Sequence, residues 1–229
     1  MANNIGGIYT DPFHSDTSNN SSNIFQVTAP WFGGIRVCAT TTNKKLLVIG
    51  SDDGHHFWTL EGKFENDDTA VAMDFTPKAP GVGMLHCLNP TGKIEFLDAD
   101  GTTVSNTWSR LTATESFKLQ DQPKHDAFNN VNGFYVDRAI FTPGSFAGIR
   151  LVSNRLGKFL RDEVCVVGTD NGHDFWAHES GSFDKATNIL KFNYSSGKCH
   201  NGTIQFSDGT EWTKVTLGTF DMHLLPKEV

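Results

Sequence analysis

The chain has 229 residues, 38% of them hydrophobic, and a formal net charge of −7. That length and apolar content suffice for one large core or two modest ones. The acidic balance, without any run of basic residues, argues against nucleic acid or an anionic membrane surface as a partner, and no apolar stretch approaches the length of a membrane span.

In chain order, GIYTD (7–11) reads as a strand, followed by the polar, Asn/Ser-rich loop HSDTSNNSSNI (14–24) and a second strand at GGIRV (33–37). The apolar run LLVIG (46–50) leads into Asp53-Gly54 and an aromatic run that ends at Trp58. Such an order predicts a β-hairpin with a type I′ turn, whose two central residues both need φ > 0. Past Gly62 and Phe64, an alternating strand puts Val71, Met73 and Phe75 on one face. A second aromatic hairpin follows, with KIEF (93–96), a turn at Asp100-Gly101, and Trp108.

The same landmarks then recur in the same order. GFYVD (133–137), AGIRL (147–151), CVVG (165–168), Asn171-Gly172, Trp176, Gly181 and Phe183 answer the first half. Leu190, Phe192 and Tyr194 repeat the alternating strand, and TIQF (203–206), Asp208-Gly209 and Trp212 repeat the closing hairpin. The spacing predicts an internal duplication, traceable from Gly7 to Leu111 and from Gly133 to Val215. Its shared scaffold is Gly50, Asp53, Gly54 and Trp58 in the first copy and Gly168, Asn171, Gly172 and Trp176 in the second. The expected fold is all-β with little helix: two tandem, pseudo-symmetric β-sandwich-like domains, at 1–111 and 131–217. A linker (112–130) joins them and an apolar tail (218–229) follows.

Two segments carry helical signals. Thr112 and Glu115 have capping-box spacing, ended by Pro123, and RLGKFLRD (155–162) is the other candidate. In the tail, Phe220, Met222, Leu224 and Leu225 are expected to reach a neighbouring molecule as assembly contacts, rather than fold back over a sheet edge. Neither terminus reads as a signal or transit peptide. Cys38, Cys87, Cys165 and Cys199 show no metal-type spacing and no matching positions in the two copies. They read as free, mostly buried thiols of a reducing compartment.

No constellation assigns a reaction. His55 and His173 are matched and His56 follows the first, but zinc needs three or four converging ligands and Asp174 stands where His56 does. Asp52, Asp53 and Asp170 resemble a calcium loop only faintly, and hairpin chemistry already explains them. A carboxylate pair for glycoside hydrolysis would draw on Glu61 or Glu179 with Asp74, yet Lys191 answers Asp74 in the second copy. The expectation is therefore no catalytic residue, no metal, no cofactor and no enzyme. Tyr9 and Asp11 upstream of Arg36, and Tyr135 and Asp137 upstream of Arg150, predict an Asp–Arg pair tying the first two strands of each copy. Strand context places the tryptophans in the core. The first alternative is a sugar- or small-ligand-binding module using Trp58, Trp176 or their neighbours; the second is an enzyme with one asymmetric carboxylate site near Glu61 and Asp74.

GIYTDPFH (7–14), GGIRV (33–37), VIGSDDG (48–54), FWTLEGKF (57–64), AMDFTPK (72–78) and SDGTEWTKV (207–215) together resemble a motif set of algal β-domains, the diatom pyrenoid shell proteins (PyShell). The resemblance implies a self-assembling sheet or shell around the Rubisco compartment that serves CO2 fixation. It implies further copies of the chain as partner, with Rubisco or other pyrenoid proteins as candidates, no cofactor, and the plastid stroma as location; without it the cytoplasm is expected. The second copy carries VDRAIF and KFNYSS where the first has the Asp-Pro-x-His and Asp-Phe-x-Pro-Lys elements, which implies different jobs for the two halves.

Overall fold

The structure is a computed structural model describing residues 5–11, 34–52, 57–66, 69–76, 78–79, 81–90, 92–111, 131–141, 145–154 and 163–214, with the backbone of 118–119 and 220–221. The first half supplies β1 (Gly7–Thr10), β2 (Ile35–Thr40), β3 (Lys45–Ser51), β4 (Phe57–Glu65), β5 (Ala70–Asp74), β6 (Met84–Leu88), β7 (Lys93–Leu97) and β8 (Val104–Arg110). Each pairs antiparallel with the next, and β8 returns to β1, with Tyr9 opposite Arg110. After β9 (Lys118–Leu119), the second half supplies β10 (Gly133–Asp137), β11 (Ile149–Asn154), β12 (Glu163–Thr169), β13 (Phe175–Asp184), β14 (Ile189–Phe192), β15 (Ser196–His200), β16 (Thr203–Phe206) and β17 (Glu211–Lys214). There too the last strand meets the first, Tyr135 opposite Lys214. β18 (Phe220–Asp221) pairs with β9.

The all-β expectation therefore holds, and the described residues contain no helix. The sandwich-like expectation does not: each meander closes on itself as an eight-stranded barrel. Closure pairs the two edges that a sandwich would leave open. It joins Tyr9 to Arg110 in the first barrel and Tyr135 to Lys214 in the second, residues far apart in the chain, so no local residue pattern announces it. Registers in the two rings agree residue for residue where the sequence predicted a match. Tyr9 faces Arg36 as Tyr135 faces Arg150, and Gly50 faces Trp58 as Gly168 faces Trp176.

Three apolar clusters, rather than one or two, hold the molecule together. Alternation sends Leu46, Val48 and Leu60 into the first barrel, and Val164, Val166 and Leu190 into the second. The intervening residues point the other way, into a third cluster between the barrels. There Val37, Leu47 and Ile49 of β2 and β3 pack against Ile149, Leu151 and Val167 of β11 and β12. This is why LLVIG and CVVG are continuous apolar runs: both faces of the strand are buried. Each such aliphatic side chain contributes about 1.5–3 kcal/mol. The contacts across this layer are reciprocal: β2 packs on β13 as β11 packs on β4, and β2 on β12 as β11 on β3. That is the pattern of an isologous, two-fold interface, here within one chain.

The hairpin prediction needs correction. Ser51 pairs with Phe57 and Thr169 with Phe175, so each loop has five residues rather than a two-residue type I′ turn. In the second loop only Gly172 has positive φ (82°). The Asn171 side chain organises the rest, its Oδ1 accepting the N–H groups of His173 and Asp174. Asn is thus present as an acceptor rather than for φ > 0. Asp53, Gly54, His55 and His56 of the first loop lie outside the described residues.

All four cysteines are buried thiols outside any disulfide. As the sequence predicts, they do not fall at matching positions: Cys87 faces Val71, whereas Gly197, not Cys199, faces the matching Leu190. Of the segments with helical signals, 155–162 lies outside the described residues, as does the linker apart from strand β9. Of the four expected assembly contacts, Phe220 lies in β18, paired to β9 of its own chain. Met222, Leu224 and Leu225 lie outside the described residues.

Candidate functional site

One end of each barrel is built around a buried arginine. In the first, Arg36 Nη2 lies 2.8 Å from Asp11 Oδ2 and 2.7 Å from Asp52 Oδ1, while Nη1 donates to the carbonyls of Ser51 and Ile35 at 2.7 and 3.0 Å. The guanidinium sits between two indoles, 4.7 Å from the Trp58 ring centroid and 5.3 Å from that of Trp108. The second barrel repeats the arrangement. Arg150 Nη2 is 2.5 Å from Asp170 and 3.6 Å from Asp137, Nη1 donates to the carbonyls of Thr169 and Ile149, and Trp176 and Trp212 flank it at 4.9 and 5.5 Å.

The Asp–Arg pairs predicted from the sequence, Asp11 with Arg36 and Asp137 with Arg150, are both formed. In sequence the second aspartate of each cluster resembles only an ion-loop residue, yet Asp52 and Asp170 turn to the same arginines. Among the described residues, no group of three or more His, Cys, Asp or Glu stands where a metal ion could be held. The repeat glycines are explained here as well. A Cβ on Gly50 would lie 2.6 Å from Trp58 and 2.8 Å from Arg36 Cδ; on Gly168 it would meet Arg150 Cδ and the Ile149 carbonyl at 2.8 Å. The Trp–Arg stack passes directly over the backbone, and only glycine leaves room.

The two ends differ in what covers them. In the first barrel the β5–β6 connection is nine residues long (75–83) and brings Lys78 over the cluster. Its Nζ lies 4.6 Å from the Trp58 ring centroid and 2.8 Å from Asp52 Oδ2. Phe75 packs edge-on against Phe96 and beside Trp108, and Trp58 is buried. In the second barrel the matching β14–β15 connection has three residues (193–195). There a cavity of about 390 Å³ opens above Trp176, Trp212 and Arg150, with Asp170 and Asp208 at its rim. Trp176 is only half-buried.

One wall of this cavity is aromatic. The His178 ring lies among those of Trp176, Phe192 and Tyr194, with centroids 4.9, 5.9 and 5.0 Å away. Burial lowers the His178 pKa and the neighbouring Arg150 charge lowers it further, against the pull of Asp170. The imidazole is therefore neutral at pH 7, and its Nε2 is in hydrogen-bond contact with the Tyr194 hydroxyl. Burial also raises the Tyr194 pKa, which keeps the phenol protonated. The cavity thus presents π faces and carboxylate oxygens to whatever enters, a surface suited to recognition.

Of the residues singled out in the sequence, Gly168, Asn171, Gly172 and Trp176 build this end of the second barrel, and Gly50 and Trp58 build its covered counterpart. His178, Tyr194 and Asp208 were not anticipated as partners. The available signal was the missing counterpart of Lys78 in the shorter second connection. Glu61 and Asp74 do not belong to the site. Both lie on outer faces, Glu61 paired with Lys45 at 3.7 Å and Asp74 accepting the Thr76 N–H. His173 is exposed in its loop. No helix of the described residues is long and apolar enough to cross a membrane. No family model, curated protein or solved structure matches this chain.

Proposed function

We propose that this chain is a self-associating structural protein of the kind its motifs resemble, the pyrenoid shell family, built from one eight-stranded unit duplicated in tandem. The carrying observation is an asymmetry between equivalent strands. On β6 the outward row is Met84, His86 and Leu88, whereas on β15 it is Ser196, Lys198 and His200. Met84 and Leu88, with Val82 and Val104 nearby in the same barrel, are 42–48% exposed. Exposed aliphatic side chains gathered on one barrel mark a contact surface. A fused pair with one apolar and one polar outer face makes head-to-tail contacts, which propagate instead of closing. In this reading the compartment is the plastid stroma, and Rubisco or another pyrenoid protein is a candidate partner.

Light scattering and negative-stain microscopy across concentration and salt test the proposal. Extended sheets or tubes are expected, and they should be lost in Met84→Ser/Leu88→Lys, which removes the two exposed apolar side chains and places at position 88 the lysine that the second barrel has in the same register, Lys198. Deleting 218–229 asks whether the tail contributes. A protein that stays monomeric under every condition refutes self-association. The cavity of the second barrel favours a second reading, a small-ligand-binding module.

A further inference from the structure

We infer that the open end of the second barrel binds an alkylammonium group, as a lysine side chain or a free primary amine, seated on Trp176 and Asp170 where Lys78 sits on Trp58 and Asp52 in the first barrel. This inference rests on reading that end as a ligand site, and it goes further by naming the ligand's chemistry.

The protein carries its own precedent. Trp58 and Trp176 occupy the same register position, opposite Gly50 and Gly168. Asp52 and Asp170 each directly follow the strand that ends in the carbonyl bound by the arginine. In the first barrel both oxygens of Asp52 are used, Oδ1 by Arg36 and Oδ2 by Lys78. In the second, Asp170 Oδ1 meets Arg150, and its other oxygen has no partner among the described residues. The Trp58 face that holds the Lys78 ammonium corresponds to a Trp176 face that opens on a cavity of about 390 Å³.

Geometry and charge select a cation with an apolar stem. The faces of Trp176, Tyr194 and Phe192 attract positive charge through their ring quadrupoles. His178 adds no opposing charge, because its imidazole is neutral at pH 7. Asp208 adds a second carboxylate at the rim. Ring walls leave a methylene stem in apolar contact, as a lysine stem is when it covers an aromatic surface.

Nuclear magnetic resonance titration, reading the indole N–H of each tryptophan, tests this on the full chain. n-Butylammonium chloride should shift Trp176 saturably and leave Trp58 unmoved. Asp170→Asn should weaken binding at least tenfold, and neutral n-butanol should bind at least tenfold more weakly than the ammonium. Lys78→Met should make Trp58 responsive too, raising the stoichiometry from one to two. An Nα-acetyl-lysine peptide that binds at least tenfold tighter than n-butylammonium assigns the group to a protein lysine; equal affinities assign it to a free amine. If n-butanol binds as well as the ammonium, the cation specificity is wrong while the ligand site stands. If neither probe shifts Trp176 in the folded protein, both are overturned.

Discussion

Replacing Arg150 by methionine isolates what the buried charge cluster contributes. The arginine side chain is 3% exposed and its partner Asp137 4%, whereas Asp170 is 61% exposed. Loss of the guanidinium therefore strands one buried carboxylate, leaving Asp137 with the Ala139 N–H as an acceptor contact at 3.1 Å. Asp170 simply returns to water. Stranding a buried partner costs about 3–5 kcal/mol, while an exposed pair is worth no more than about 1 kcal/mol. In a chain of this size each kcal/mol moves Tm by about 2–4 °C, so Arg150→Met should melt roughly 10 °C lower. Asp170→Asn should lose under about 1 kcal/mol, and Arg150→Met/Asp137→Leu should recover most of the deficit of the single variant. Arg150→Lys should rescue little, because an ammonium cannot reproduce the planar fork held between two indoles. Urea denaturation, followed by far-ultraviolet circular dichroism and tryptophan fluorescence, gives all four free energies. The reasoning fails if Arg150→Met stays within 1 kcal/mol of the parent, or if the double variant is as unstable as the single one.

Other expectations follow from the same geometry. Gly168→Ala should cost about 1–3 kcal/mol by overpacking and shift Trp176 emission. Gly50→Ala should cost at least as much, since the Cβ there would lie 2.6 Å from the buried Trp58 ring and 2.8 Å from Cδ of the buried Arg36. The layer between the barrels predicts one cooperative unfolding transition. Leu151→Ala within it should lower that transition by about 2–5 kcal/mol; two separate transitions in the parent would contradict the shared core. Alkaline pH should destabilise the fold. Burial pushes the thiols of Cys38 and Cys87 well up, and that of Cys199 up to about 11. Unfolded thiols ionise from about pH 9, so above it the unfolded chain holds fewer protons and stability falls, by about 1.4 kcal/mol per pH unit for each fully buried thiol. Buried Tyr9 and Tyr135 add to the loss above pH 10. Lys214, lowered by burial to about 8, acts oppositely between about pH 8 and its ordinary 10.5. Urea midpoints that rise steadily from pH 9 to pH 11 would contradict this balance.

Much of the local structure was legible in the residues because it depends on short-range chemistry. Strand alternation placed Val71, Met73 and Phe75 on an inner face, where the structure has them. Glycine at Asp100-Gly101 and Asp208-Gly209 marked turns that do use positive φ at Gly101 and Gly209. The matched order of Tyr-x-Asp upstream of the strand arginine, Asp11 before Arg36 and Asp137 before Arg150, was enough to foresee both ion pairs. Tertiary structure decided the rest. Whether a meander opens as a sandwich or closes as a barrel depends on whether β8 finds β1, a pairing set by twist and register accumulated over eight strands. The layer between the barrels appeared in sequence only as unbroken apolar runs, which say that both strand faces are buried but not against what. The candidate site turned on a difference in connection length. Nine residues let Lys78 reach Trp58, and three leave Trp176 uncovered. Reach is a property of the folded chain in three dimensions, so the same Gly–Trp–Arg chemistry became a covered end in one barrel and an open cavity in the other.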